Sequence, residues 1–313
     1  MTRAMATFPH RFAPRRQRGI AFLLVLWVIA MLGVLLASFA LIARTELVQA
    51  RHLFDTAQAR YAAEAGLDLA VYELRKGDPM TRWVGDGRPY TFGFGDAEVQ
   101  VKITDDSGKI DINTPNEQQL RNLFASRGLD AEEAQGLAAA ILDWTDPDDD
   151  TRINGAEIAQ YKAAGLSYGP RNAPFDTVSE LQQVLGMNYE LFRQVEPALT
   201  IYSGQGTPNL GYAPLEALLA QEGMTPECAQ MVIQWRQSVP PGDPAAPPPP
   251  DCAVQAGIPI GLAGGGGLTY SVQSRAKLPN GASTILDATI RMGGINVAGR
   301  PYVILRWRDG ENS

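Results

Sequence analysis

Ile20 to Ala43, IAFLLVLWVIAMLGVLLASFALIA, is an uncharged apolar run of about two dozen residues, long enough to cross a bilayer as one helix. Before it stand Arg3, Arg11, Arg15, Arg16 and Arg18 with no acid among them. The positive-inside bias therefore places the N-terminus in the cytoplasm and everything after Ala43 across the membrane. Beyond Ala43 the composition is that of a water-soluble body, so the chain reads as a single-pass, exported protein.

A secretory signal also has a basic start and an apolar middle. This run is too long for a cleavable apolar segment, and no small-x-small site marks its end before an amphipathic, Ala-rich helix begins at Arg44. On the cytoplasmic side, Arg18-Gly19-Ile20 resembles the processing junction of type IV prepilins and pseudopilins. That resemblance implies a membrane aspartyl peptidase cutting after Gly19 and N-methylation of the new first residue, Ile20.

The 313 residues carry a formal net charge of -7, and the basic leader makes the exported part more acidic than that figure. Such a body disfavours a nucleic-acid partner. The two cysteines, Cys228 and Cys252, both fall in the exported part, where thiols oxidise, and are read as a disulfide across a Pro-rich loop. His10 and His52, the two histidines, lie in the leader and the stalk, which leaves no material for a His-based catalytic site.

Beyond the membrane run the helix is expected to continue to Lys76, with Gly77-Asp78-Pro79 ending it. Ala50, Phe54, Ala57, Tyr61, Ala65, Leu69 and Tyr72 recur at three- and four-residue spacing, and this stripe is expected to pack on a sheet. Tyr61-Ala62-Ala63-Glu64-Ala65-Gly66-Leu67 resembles the AAEAGL segment of minor pilins. Tyr90 to Thr104 alternates apolar and polar residues around Gly turns, as strands do, and strand signals return at Leu268 to Ala276, Thr284 to Met292 and Tyr302 to Arg308. The stretch between, Thr114 to Gly257, reads as helices. A helical block inside a β framework predicts an α+β fold.

That block has punctuation of its own. Thr114-Pro115-Asn116-Glu117 is expected to form a capping box with Thr114 as N-cap and Pro115 at the first helical position, and Thr177-Val178-Ser179-Glu180 repeats the box. The pattern resembles helix-hairpin-helix modules, some of which bind DNA, and a membrane-anchored DNA receptor is the alternative reading. The acid Glu190 at the second hairpin, Leu185 to Glu190, opposes a phosphate there.

Asp143-Trp144-Thr145-Asp146-Pro147-Asp148-Asp149-Asp150-Thr151-Arg152-Ile153-Asn154-Gly155-Ala156-Glu157 carries the sharpest chemical signal. With Asp146 as loop position one, acids fall at positions one, three, five and twelve, the spacing that wraps carboxylates round Ca²⁺. Asp146, Asp148, Asp150 and Glu157 are the expected side-chain ligands, Arg152 supplies its carbonyl, and Asp143 is an extra. Position six is Thr151 where the calcium loop usually has Gly. A glycosidase pair would need one buried acid of raised pKa, which a run of adjacent aspartates opposes. No nucleophile elbow, P-loop or zinc signature occurs, and the chain reads as non-enzymatic.

With these residues in hand, nearly the whole chain resembles the K-type minor pseudopilins of bacterial type II secretion, the general secretion pathway protein K family. The likeness rests on Gly19-Ile20, the AAEAGL segment, Gly108-Lys109-Ile110-Asp111-Ile112-Asn113-Thr114, Ile141 to Asp146 leading to Gly155-Ala156-Glu157, and Pro174-Phe175-Asp176 with Glu180-Leu181. It implies a pilin-like fold in which a long N-terminal helix packs on a small antiparallel sheet, interrupted by an all-α insertion. The division is then a cleaved leader (1–19), a transmembrane helix (20–43), a stalk helix (44–78), a β domain (79–113 with 258–313) and the helical insertion with its calcium loop (114–257). Leu24 stands at the fifth mature position, where pilins usually carry Glu, and marks a subunit with no neighbour above it at the pseudopilus tip. By the same resemblance the partners are the I- and J-type minor pseudopilins, the major pseudopilin, the prepilin peptidase and the inner-membrane assembly platform. The location is the bacterial inner membrane with a periplasmic body; a type IV pilus minor pilin is the related alternative.

Overall fold

The computed structural model describes residues 20–239, 243, 247–255, 267–293 and 301–310. The expected leader, with Gly19, lies outside them. Two compact units divide the chain, residues 1–55 and 56–313. The described part of the first is helical, with every side chain from Ile20 to Phe54 exposed, and it includes the one described stretch long and apolar enough to cross a membrane. It belongs to helix α1, Ile20–Leu74. The helix closes at Leu74, just short of the Gly77-Asp78-Pro79 stop.

The second unit begins within α1 and continues with two hairpin-linked strands, β1 (Asp86–Phe94) and β2 (Ala97–Asp105). Among the described residues the chain returns to the same sheet at β5 (Thr269–Lys277), β6 (Ser283–Met292) and β7 (Tyr302–Gly310). The five strands are antiparallel in the order β1-β2-β5-β6-β7. Alternation in β2 points Ala97, Val99, Val101 and Ile103 inward and its polar partners outward, so one face is committed to packing.

The face of α1 that meets this sheet is Ala59, Ala62, Ala63, Gly66, Leu67, Ala70 and Val71. The aromatic stripe expected from spacing is not the buried one, since Phe54, Tyr61 and Tyr72 are each more than 60% exposed, at 68%, 66% and 64%. Small side chains win because they let the helix axis approach the strands. A Cβ on Gly66 would lie 2.2 Å from Ser274 Oγ and 2.9 Å from Val99 Cγ1. The AAEAGL segment is thus a close-approach surface, and the large aromatics stand on its flanks.

Between β2 and β5 lies the helical insertion: α2 (Glu117–Ala125), α3 (Ala131–Thr145), α4 (Ile158–Ala163), a 3₁₀ turn (Val178–Gln183), α5 (Tyr189–Val195), α6 (Leu215–Leu219), α7 (Pro226–Ser238) and α8 (Asp251–Gln255). It is not wholly helical. Strand β3 (Ile110–Asp111) pairs in parallel with β4 (Leu199–Thr200) and ties the start of the block to its middle. The N-cap of α2 is Asn116, not Thr114: its Oδ1 accepts from the amides of Gln118 and Gln119, while the Thr114 amide is used in a turn to the Asp111 carbonyl. Asn is the stronger N-cap side chain of the two, so the helix starts after Asn116 and leaves Pro115 outside it. The second box forms as expected, with Glu180 accepting from the Thr177 amide.

A separate apolar core, including Leu120, Phe124, Ile141, Trp144, Tyr161, Leu181 and Leu218, holds the block together. Its joint to the sheet is polar. Arg236, 2% exposed on α7, donates to the carbonyls of Asp86 (3.0 Å) and Ala213 (2.7 Å), and burial lowers its pKa to about 10. Arg88 on β1 pairs with the Asp86 carboxylate at 2.7 Å and donates to the carbonyls of Arg236 and Val239 at the end of α7. A cation there also suits the negative end of the helix dipole.

Candidate functional site

The acidic loop runs from the last turn of α3 to the start of α4. Asp143 is fully buried and accepts from Arg152 Nη1 (2.7 Å), the Arg152 amide (3.3 Å) and the Ala156 amide (2.9 Å). Arg152 also bonds Asp146, and these two carboxylates raise its pKa. The Arg152 carbonyl accepts from the Gly155 amide. Asp148 accepts from the Asp150 amide, and Asp149 from Asn172 Nδ2.

These bonds occupy part of the ligand set drawn from spacing. Among the described residues no three of the acids converge as a metal cluster. The reason is Arg152: its side chain takes Asp143 and Asp146, the role expected of a cation, while its carbonyl closes a turn. The sharp bend is also displaced. The left-handed residue is Asn154 at loop position nine, with φ 64°, not position six. Asn tolerates that region better than other non-glycine residues. Gly155 is required next to it because a Cβ there would lie 2.1 Å from Asp143 Oδ2.

Glu157 stands apart from its neighbours. It is 2% exposed, and neither carboxylate oxygen has a hydrogen-bond partner. Burial, then the charges of Asp143, Asp146, Asp149 and Asp148, push its pKa up to about 7. Asp146 Oδ1 and Asn172 Oδ1 are likewise buried without a partner. Buried oxygens left unsatisfied are costly unless something absent from the chain completes them. All are hard oxygen donors, so the donor set fits Ca²⁺ in chemistry. Asn172, in the left-handed region with φ 52°, sits beyond the loop proper, so a spacing rule had no means of finding it.

Under the loop, Trp144 stacks on Phe175 with centroids 5.9 Å apart and tilts against Tyr161 at 6.1 Å. The Tyr161 hydroxyl accepts from the Leu185 amide, which fixes α4 to the second hairpin. Asn113 bridges Phe175 through both side-chain atoms, at 2.7 and 3.1 Å, so the Gly108–Thr114 and Pro174–Asp176 motifs meet in space. Gly108 is required by another contact: a Cβ there would lie 2.5 Å from the Tyr212 carbonyl carbon. Elsewhere, Cys228 on α7 is joined to Cys252 on α8.

The family model described as "Type II secretion system (T2SS), protein K" matches residues 101–204, from β2 through the acidic loop to just past β4. The chain is 29% identical over 204 residues to type II secretion system protein K of Klebsiella pneumoniae, covering 58% of this chain and 62% of the relative. It is 26% identical over 245 residues to the protein of that name from Pseudomonas aeruginosa, covering 71% and 73%. The chain is similar to type II secretion system protein K, through the family model over residues 101–204 and through these relatives. The match spans less than two thirds of the Klebsiella relative's length. In fold, this chain is similar to a chain of the GspK-GspI-GspJ complex from enterotoxigenic Escherichia coli, at a TM-score of 0.54 and 16% identity, over 86% of this chain and 99% of that one. The α+β architecture is shared between them.

Proposed function

We propose that this chain is the minor pseudopilin at the tip of a type II secretion pseudopilus, where it helps initiate assembly and the export of folded proteins across the outer membrane. The observation that carries the reading is the protein K helical block, inserted between β2 and β5 of a sheet that packs on the N-terminal helix. So large an insertion is hard to accommodate in a shaft of repeated subunits. Leu24 supports the same position, because an uncompensated Glu in an apolar bundle is expensive and a subunit with no neighbour above needs none.

The partners are then the I- and J-type minor pseudopilins, by likeness to the solved GspK-GspI-GspJ complex, with the major pseudopilin, the prepilin peptidase and the inner-membrane assembly platform completing the pathway. The body is periplasmic and non-enzymatic. Asp143, Asp146, Asp148, Asp150, the Arg152 carbonyl and Glu157 form a calcium site, supported by the unpartnered buried oxygens of Glu157 and Asp146. Binding would draw Asp146 from Arg152 and supply hard positive charge to Glu157.

The deciding experiment is the intact mass and N-terminal residue of the protein from cells with and without the prepilin peptidase. N-methylated Ile20 that appears only with the peptidase is expected, together with periplasmic accumulation of exoproteins when the gene is deleted. Retention of residues 1–19, or undisturbed secretion after deletion, would overturn the reading.

A further inference from the structure

The helical block has an open seam. A cleft of about 410 Å³ lies between α3 and α5, walled on one side by Asn154, Gly155 and Ala156. Its floor is apolar, built from Leu129, Leu137, Ala140, Leu185 and Leu191. Leu129 and Leu185 are only partly buried there, so the core is left uncovered along this line.

The charge of the helical block is one-sided. Residues 114–257 hold nineteen acidic and seven basic residues. Four of the seven bases are spent in ion pairs, Arg121 with Glu117, Arg127 with Glu216, Arg152 with Asp143 and Asp146, and Arg171 with Asp176 and Glu180. A fifth, Arg236, is buried on carbonyls. Glu133 lines the cleft, Glu132 stands beside it in sequence on α3, and Glu190 opens α5 next to the lining residue Asn188. All three glutamates are exposed, and none forms an ion pair among the described residues.

We infer that this cleft docks a short cationic segment of a partner protein, one that places leucine-sized side chains on the floor and Arg or Lys against the glutamates. Apolar burial supplies affinity, and the acidic rim supplies selection and orientation. Nucleic acid meets the wrong charge at the same rim. The inference rests on α3, α5 and the segments that lead into them, which form the floor, and does not require a cation in the neighbouring loop.

The test uses the full chain in phosphatidylcholine nanodiscs and saturation-transfer NMR, with acetyl-Arg-Leu-Leu-Arg-amide as probe and acetyl-Glu-Leu-Leu-Glu-amide as its charge-reversed control. The cationic peptide should receive saturation about threefold or more above both the acidic peptide and empty discs. Leu129→Ser should reduce the signal roughly twofold or more. Glu133→Gln with Glu190→Gln should do the same while keeping the α3 capping box, since Gln serves at that position. Thermal midpoints of the variants verify the fold. Equal saturation of the two peptides, no saturation of either, displacement by duplex DNA, or a signal unchanged in both folded variants would overturn the inference.

Discussion

Glu157 concentrates the acidic loop's energetics in one side chain. Its carboxylate is buried among aspartates without a hydrogen bond, so the ionised form burdens the calcium-free fold. Glu157→Gln removes the charge and nearly preserves the shape. At pH 8 in chelator, the variant should melt roughly 3–8 °C higher than the parent, a rise equivalent to a few kcal/mol at most. Added calcium should stabilise the parent and leave the variant nearly unmoved, because ligand stabilisation scales with differential affinity for the fold. A calcium-induced shift of the same size in both proteins would remove Glu157 from the site. Much of this was legible in the spacing of acids, since position twelve falls on the buried carboxylate. What spacing could not show was Arg152, because a guanidinium that folds back onto Asp143 and Asp146 has no periodic signature.

At the level of elements, α1 and its sheet meet through small residues, and Gly66 sets the distance. Gly66→Ala should destabilise the body by about 1–3 kcal/mol, since overpacking outweighs alanine's better helix propensity. Adding Ser274→Ala should recover part of the loss, because it removes the nearest clashing atom, itself a buried hydroxyl without a partner. Urea titrations of the two variants measure both effects. The strands were legible because alternation survives burial of one face, and β5, β6 and β7 begin within a residue of their expected starts. The helix face was misread because the aromatic stripe has the stronger periodicity while the Ala and Gly face has the better fit. Strands β3 and β4 are two residues each and carry no pattern at all. The Cys228–Cys252 link spans 24 residues, and replacing both cysteines by Ser should lower stability by about 2–4 kcal/mol. Reducing the parent should match the variant if the link is the whole cause.

For the whole molecule, the prediction turns on Leu24, position five of the chain that cleavage after Gly19 would leave. In a shaft subunit an acid there neutralises the amine of the neighbour nearer the tip, and losing it strands a charge in an apolar bundle. Leu24 offers no such neutralisation, which a subunit at the end of the filament can tolerate because no amine lies above it. Leu24→Glu should therefore leave exoprotein export close to that of the parent, while Gly19→Val, which blocks the processing junction, should abolish it. The two substitutions lie five positions apart in the same short region, so their contrast separates position in the filament from general damage to the N-terminus. If Leu24→Glu instead stopped export while N-terminal analysis still found methylated Ile20, the acid would be harmful where a tip subunit should tolerate it. The chain would then have to sit beneath another subunit, with the helical block accommodated along the shaft.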